Sequence, residues 1–199
     1  MVGKNILLLA NMFQVFACVS STDVRTPPMP GNVEELREAL NTDDKIWLYK
    51  RRTKKPNENH TCLFWQKKEL SDTEYKFTEA YWASNKPHMK DLTGKIIKSP
   101  QIDLEGAILN VTGNSEEGTD LEYLLVQWYL EHHCAIFYTQ KEHKGKREKQ
   151  TCGLYYWTIS VDDKEDQRQC DGYYATYCDT YGYEDQIVYN SSCRSLPGC

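Results

Sequence analysis

Between Lys45 and Val161 the chain alternates aromatic or β-branched runs with polar turns, and this spacing restricts it to folds built from short antiparallel strands. The runs are Lys45–Tyr49, Cys62–Lys68, Glu74–Trp82, Lys95–Lys98, Ile102–Val111, Leu121–Leu130, His133–Thr139 and Leu154–Val161, which predicts eight strands. Thr112-Gly-Asn-Ser-Glu-Glu-Gly118 and Lys144-Gly145-Lys146 supply hairpin breakers. Regular spacing of this kind predicts an antiparallel barrel or sandwich. Ahead of the strands, Pro27-Pro28-Met29-Pro30 reads as a spacer, and Asn32 as the N-cap of one short helix over Val33 to Leu40. After them, Asp162, Asp163, Glu165 and Asp166 mark the acidic first turn of a second helix carrying Cys170 and Cys178, which Gly172 weakens. Ile187-Val188-Tyr189 is a last short strand.

Residues 1–21 read as a signal peptide, in which Lys4 precedes the apolar segments Ile6–Ala10 and Met12–Val19 and small residues follow at Ser20 and Ser21. Asn11 and Gln14 interrupt it, and no later segment approaches the ~20 apolar residues of a spanning helix. Residues 22–199 are therefore read as one exported domain without a membrane span. Loss of Lys4 moves the net charge from −5 to about −6, which argues against nucleic-acid binding. Of the eight cysteines, Cys18 leaves with the leader, and Cys62, Cys134, Cys152, Cys170, Cys178, Cys193 and Cys199 remain. Six of them suit three bridges in an oxidising compartment, with the pairing open. Cys199 is the odd thiol; it would allow a disulfide-linked dimer in place of a monomer. Asn59-His-Thr61, Asn110-Val-Thr112 and Asn190-Ser-Ser192 are glycosylation sequons that predict surface positions.

The ordered set Thr61-Cys62, Cys134-Ala-Ile-Phe-Tyr138, Cys152-Gly-Leu-Tyr155, Gln169-Cys170 to Tyr177-Cys178, and Val188-Tyr189-Asn-Ser-Ser-Cys193 resembles the tick salivary lipocalins, or histamine-binding protein family. The likeness spans roughly the whole mature chain. It implies an all-β fold, an eight-stranded antiparallel lipocalin barrel with a short N-terminal helix and a C-terminal helix. It also implies the disulfides Cys62–Cys193, Cys134–Cys170 and Cys152–Cys178, with Cys199 unpaired. The implied role is that of a secreted salivary glycoprotein which sequesters a small host mediator and so suppresses host defence, with no catalysis.

Members that hold histamine or serotonin are understood to use carboxylates inside the barrel, since a protonated amine in a low-dielectric cavity needs an anionic partner. Two such acids, one after the seventh-strand cysteine and one in a Cys-Glu-Leu-Trp motif, are here Ala135 and Gly153. An amine would then need Asp43, Asp44, Glu74 or Glu122 as a substitute. With 135 and 153 inward, period-two alternation brings Phe137, Tyr155 and Trp157 to the same faces. Tyr123, Leu125, Gln127 and Tyr129 form the corresponding face of the sixth strand. With Trp47 and Tyr49 these make the expected ligand cavity, suited to an apolar or amphipathic ligand. The competing expectation is a core filled by the same rings.

The first, third, fifth and seventh strand connections ring a lipocalin mouth, and three of them are read here as basic. They hold Lys50, Arg51, Arg52, Lys54 and Lys55, then Lys86, His88 and Lys90, then Lys141 to Lys149 with Lys144, Lys146 and Arg147. The fifth, with Glu116 and Glu117, is acidic. A positive rim draws anions, which ranks a leukotriene or fatty acid above a biogenic amine. The alternative is a host complement, coagulation or immune protein gripped by these loops on a rigid scaffold. Ordinary solvated charge is the plain reading.

His132-His133-Cys134 is not read as a metal site, because neighbours on a strand face opposite ways. The acids at 162–166 suit a helix N-terminus. Gly-x-Ser-x-Gly, His-Glu-x-x-His, Cys-x-x-Cys and phosphate-loop motifs are missing, so no catalytic residue, cofactor or metal is assigned.

Overall fold

The computed structural model describes residues 31–53, 56, 59–98, 106–143, 146–179 and 184–196. Residues 1–21, read from sequence as a signal peptide, lie outside these residues, as do Lys54, Lys55, Lys144, Cys199 and the side chains of Lys146 and Arg147. In chain order the elements are α1 (Val33–Leu40), β1 (Ile46–Thr53), β2 (His60–Leu70), β3 (Glu74–Ala83), β4 (Lys86–Lys98), β5 (Ala107–Asn114), β6 (Thr119–Tyr129), β7 (Cys134–His143), β8 (Lys146–Trp157), α2 (Lys164–Cys178) and β9 (Asp185–Ile187). From β2 to β8 each strand pairs antiparallel with the next, and β1 joins both β8 and β2, which closes the barrel. β9 pairs with the edge of β1 away from β8, over Lys50–Arg52.

α1 starts on the capping box that Asn32 and Glu35 form, each side chain accepting the other's backbone N–H at 2.9 and 2.8 Å. Its fully buried Leu36, Ala39 and Leu40 close one end of the barrel against β4, β5 and β6. The opposite end, where β1 finishes and β5 turns into β6, is the mouth.

Two clusters of buried side chains result. One fills the barrel; the other lies between the barrel wall and α2 with the C-terminal tail. Disulfides Cys134–Cys170 and Cys152–Cys178 pin α2 to β7 and β8, and Cys62–Cys193 ties the start of β2 to the tail. These are the pairs that the resemblance implies. α2 runs through Gly172, where an added Cβ would meet nothing within 4 Å, so that glycine lowers helix propensity without serving packing. The acids at its start are engaged within the fold. Asp163 caps the helix, Asp166 holds His132, Glu165 pairs with Arg168, and Asp162 accepts from the Tyr189 hydroxyl and Arg194.

Several expectations are corrected. Lys86–Lys90, read as a mouth loop, is strand, because Ser84 and Asn85 take positive φ of 52° and 59° and complete a two-residue hairpin. Pro87 is tolerated there because β4 pairs with β5 only from Thr93 onward. Lys50, Arg51 and Arg52 likewise belong to β1 rather than to a loop.

Strand phase is corrected in two places. The β1 register shifts between Leu48 and Lys50, so Ile46, Leu48 and Arg51 face inward. Trp47 and Tyr49, expected in the cavity, instead join the outer cluster against Phe64, Tyr156 and Tyr189. The β6 register shifts between Leu125 and Gln127, so Trp128 packs inward on Trp157, while Tyr129 leaves the interior and stacks on Tyr173 of α2. A bulge inserts one residue and reverses the alternation beyond it.

Candidate functional site

The middle of the barrel is a layer of rings. Trp65 lies 5.0 Å from both Tyr123 and Tyr155, 5.4 Å from Phe77 and 6.0 Å from Phe137, centroid to centroid. Tyr123, Leu125, Phe137, Tyr155 and Trp157 all face this interior, and Gly153 leaves room for one of its rings. A Cβ on Gly153 would sit 2.7 Å from Cε2 of Tyr155 and 3.1 Å from Leu48, so the Tyr155 ring takes the space that a residue-153 side chain would need. Gly153→Ala is expected to cost about 1–3 kcal/mol in chemical denaturation, as overpacking does where the neighbours cannot yield. A change within 0.5 kcal/mol would mean that the ring layer is loose.

Above the rings lies a polar layer made by the β5–β6 connection, whose Glu116 and Glu117 turn into the mouth. Their side chains are 2 % and 3 % exposed. Both bind Arg51: Nη1 and Nη2 reach Glu116 at 2.6 and 3.0 Å, and Nη1 reaches Glu117 at 3.1 Å. Arg51 Nε also donates to Gln186 of β9 at 3.0 Å. Thr139 and Thr151 donate to Glu117 at 2.9 and 3.1 Å, and His60 Nδ1 lies 2.7 Å from Glu116.

Glu79 of β3 completes the layer. Its carboxylate accepts from the backbone N–H of Glu116 at 2.6 Å and from Trp65 Nε1 at 3.2 Å. Among the described residues it has no cationic partner. Lys90, opposite it in the β3–β4 register, extends over the Tyr81 ring instead. Burial pushes the Glu79 carboxyl up to about 7, against the pull of its two N–H donors and with help from the neighbouring Glu117 and Glu116. Burial also acts to raise Glu116, but the hydrogen bond and charge of Arg51, joined by His60, hold it below its ordinary value. Arg51 itself is raised: its two carboxylates outweigh the burial that would lower it.

The mouth therefore differs from the one expected. Arg51 is internal, and Lys50 and Arg52 are engaged outside the barrel with Asp171, Asp179 and Asp185. The four carboxylates named as substitutes in an amine site do not enter the mouth. Asp43 is exposed beside Lys67, Asp44 sits in the α1–β1 connection, Glu74 pairs with Lys76, and Glu122 meets Gln140 on the outer phase of β6. The alternation Tyr75, Phe77, Glu79, Tyr81 did carry the missing signal, since it sets Glu79 on an aromatic inward face.

The profile of the family described as tick histamine binding protein matches residues 25–195. This chain belongs to that family. Tick histamine-binding proteins are ligand-binding lipocalins, and solved structures agree with the fold. A serotonin complex of AM182 superposes with a TM-score of 0.57 at 14 % identity, covering 81 % of this chain and 94 % of the other. Japanin from Rhipicephalus appendiculatus, bound to cholesterol, gives 0.50 at 12 %, covering 78 % and 98 %. The siderocalin Ex-FABP gives 0.54 at 9 %, covering 77 % and 95 %. Among curated proteins none matches the sequence. No helix among the described residues is long and apolar enough to cross a membrane.

Proposed function

We propose that this lipocalin is exported in tick saliva and sequesters a small organic cation, a biogenic amine, at the barrel mouth, so removing a host mediator. The observation that supports this is the acid surplus of the buried polar layer, in which Glu79, Glu116 and Glu117 face one arginine. A protonated amine above the rings of Trp65, Tyr81 and Tyr123 would neutralise Glu79 and gain cation–π attraction in a desolvated setting. A lipid carboxylate would add a negative charge beside three acids. The preference for a leukotriene or fatty acid, drawn from Ala135, Gly153 and the basic rim, is reversed in this reading. The basic rim that favoured a host protein loses Arg51 to the interior and Lys50 and Arg52 to ion pairs, so that alternative is not carried forward.

The test is calorimetry and native mass spectrometry with histamine, serotonin, arachidonate and leukotriene B4. One amine per chain is expected, with Glu79→Gln weakening it about 10- to 100-fold, the worth of one charge-assisted hydrogen bond. Binding of a lipid and of neither amine would overturn the reading.

The pH dependence has two opposite signs. Because Glu79 must be ionised to hold a cation, amine affinity falls as pH drops below its pKa of about 7. In the free protein the raised pKa stabilises the fold fully below the ordinary carboxyl value of 4.5, and that contribution is lost as pH rises through about 7. Unfolding curves from pH 4 to 8 on wild type and Glu79→Gln check this: the wild type should lose stability relative to the variant as pH rises. Parallel curves would mean that Glu79 titrates normally.

A further inference from the structure

On the outer face near the mouth, beyond the amine site, a groove of about 560 Å³ runs between the β2–β3 pair and the C-terminal tail. Asn59, Thr61, Trp82, Ser84, Asn85 and Leu196 are among its lining residues. It exists because Cys62, with φ 54°, interrupts the β2–β3 register, and its bridge to Cys193 holds the tail beside that interruption. Asn59 is exposed and begins the sequon Asn59-His60-Thr61. Its middle residue turns inward, where His60 meets Glu116 and the Tyr81 ring, so Asn59 and Thr61 are left together on the groove side.

We propose that Asn59 carries an N-linked glycan whose first N-acetylglucosamine residues lie in this groove against Trp82. The lining suits a saccharide. The half-buried indole of Trp82 offers a flat apolar face to sugar C–H groups, and the Ser84 and Asn85 side chains offer hydrogen bonds to hydroxyls and the acetamido group. The volume lies within the roughly 300–1,000 Å³ of small-molecule sites. The other two sequons are set differently: Asn110 is half-buried within β5, and the Asn190 side chain caps the 3₁₀ helix Ser191–Ser195. A glycan seated at Asn59 would cover the seam where the tail meets the barrel.

The experiment uses the mature chain secreted from insect cells under a foreign leader, so that its outcome does not depend on the native signal or on amine binding. Glycopeptide mass spectrometry should find Asn59 occupied. Peptide-N-glycosidase should release this glycan about tenfold more slowly from the native than from the denatured protein, the factor that about 1.4 kcal/mol of packing supplies. Trp82→Ala should abolish that difference. Hydroxyl-radical footprinting should label Trp82 more in enzymatically deglycosylated protein, and in Asn59→Gln, than in the glycosylated form. An unmodified Asn59, or a Trp82 labelled equally with and without the glycan, overturns the proposal.

Discussion

Arg51→Met is expected to destabilise the protein by about 3–5 kcal/mol, the usual cost of removing one partner from a buried ion pair. The reason is the company the guanidinium keeps. It neutralises Glu116 and Glu117, both nearly inaccessible, and Glu79 lies in the same layer. Without it two carboxylates are left in the mouth with only hydroxyl and imidazole partners, and the β5–β6 connection must swing out to hydrate them. Urea unfolding measures the loss, and a triple variant separates its causes. Adding Glu116→Gln and Glu117→Gln to Arg51→Met should restore most of the stability, since the two carboxylates that Arg51 neutralises are then uncharged. A single variant within 1 kcal/mol of wild type would show that water already reaches the mouth acids.

Replacing Cys62 and Cys193 together by serine is expected to cost about 5 kcal/mol, and to lower the melting temperature by roughly 10–20 °C in a domain of this size. The bridge spans 131 residues of sequence and restricts the unfolded chain more than Cys152–Cys178, which spans 26 and for which the same loop-closure argument gives about 3.5 kcal/mol. Its local context adds to the effect. The Cys62 N–H bonds to Val188 O, and Tyr189, next along the tail, packs on Trp47 and bonds to Asp162. Release of the tail should therefore expose the outer face of β1 as well. Differential scanning calorimetry of the two double variants tests the order, and a larger loss for the 152–178 pair would reject the loop-length account.

How far the site could be read in advance depended on strand phase. In β7 and β8 the cysteines face α2, so residues at odd offsets from them must face inward, and Phe137, Tyr155 and Trp157 do. In β1 no such marker exists. Trp47 and Tyr49 look as suitable for a cavity as Ile46 and Leu48, because the tail and α2 make the outer face apolar too. Glu79 was legible from its strand alone, through the inward phase that Tyr75, Phe77 and Tyr81 set. Glu116 and Glu117 were visible as an acidic turn, with nothing local to say that the turn folds inward.

The sequence by itself determined the number and order of strands, the capped first helix, the second helix and the cysteines available as staples. These depend on alternation, caps and turn residues, which act over a few neighbours. Only the tertiary structure decided that Arg51 rather than Lys50 enters the barrel and that the acidic turn closes over it. A bulge is set by pairing across strands, and a buried charge is stable only where distant residues supply its counter-charge: Glu116 lies 65 residues from Arg51 along the chain and within hydrogen-bond reach of it in space.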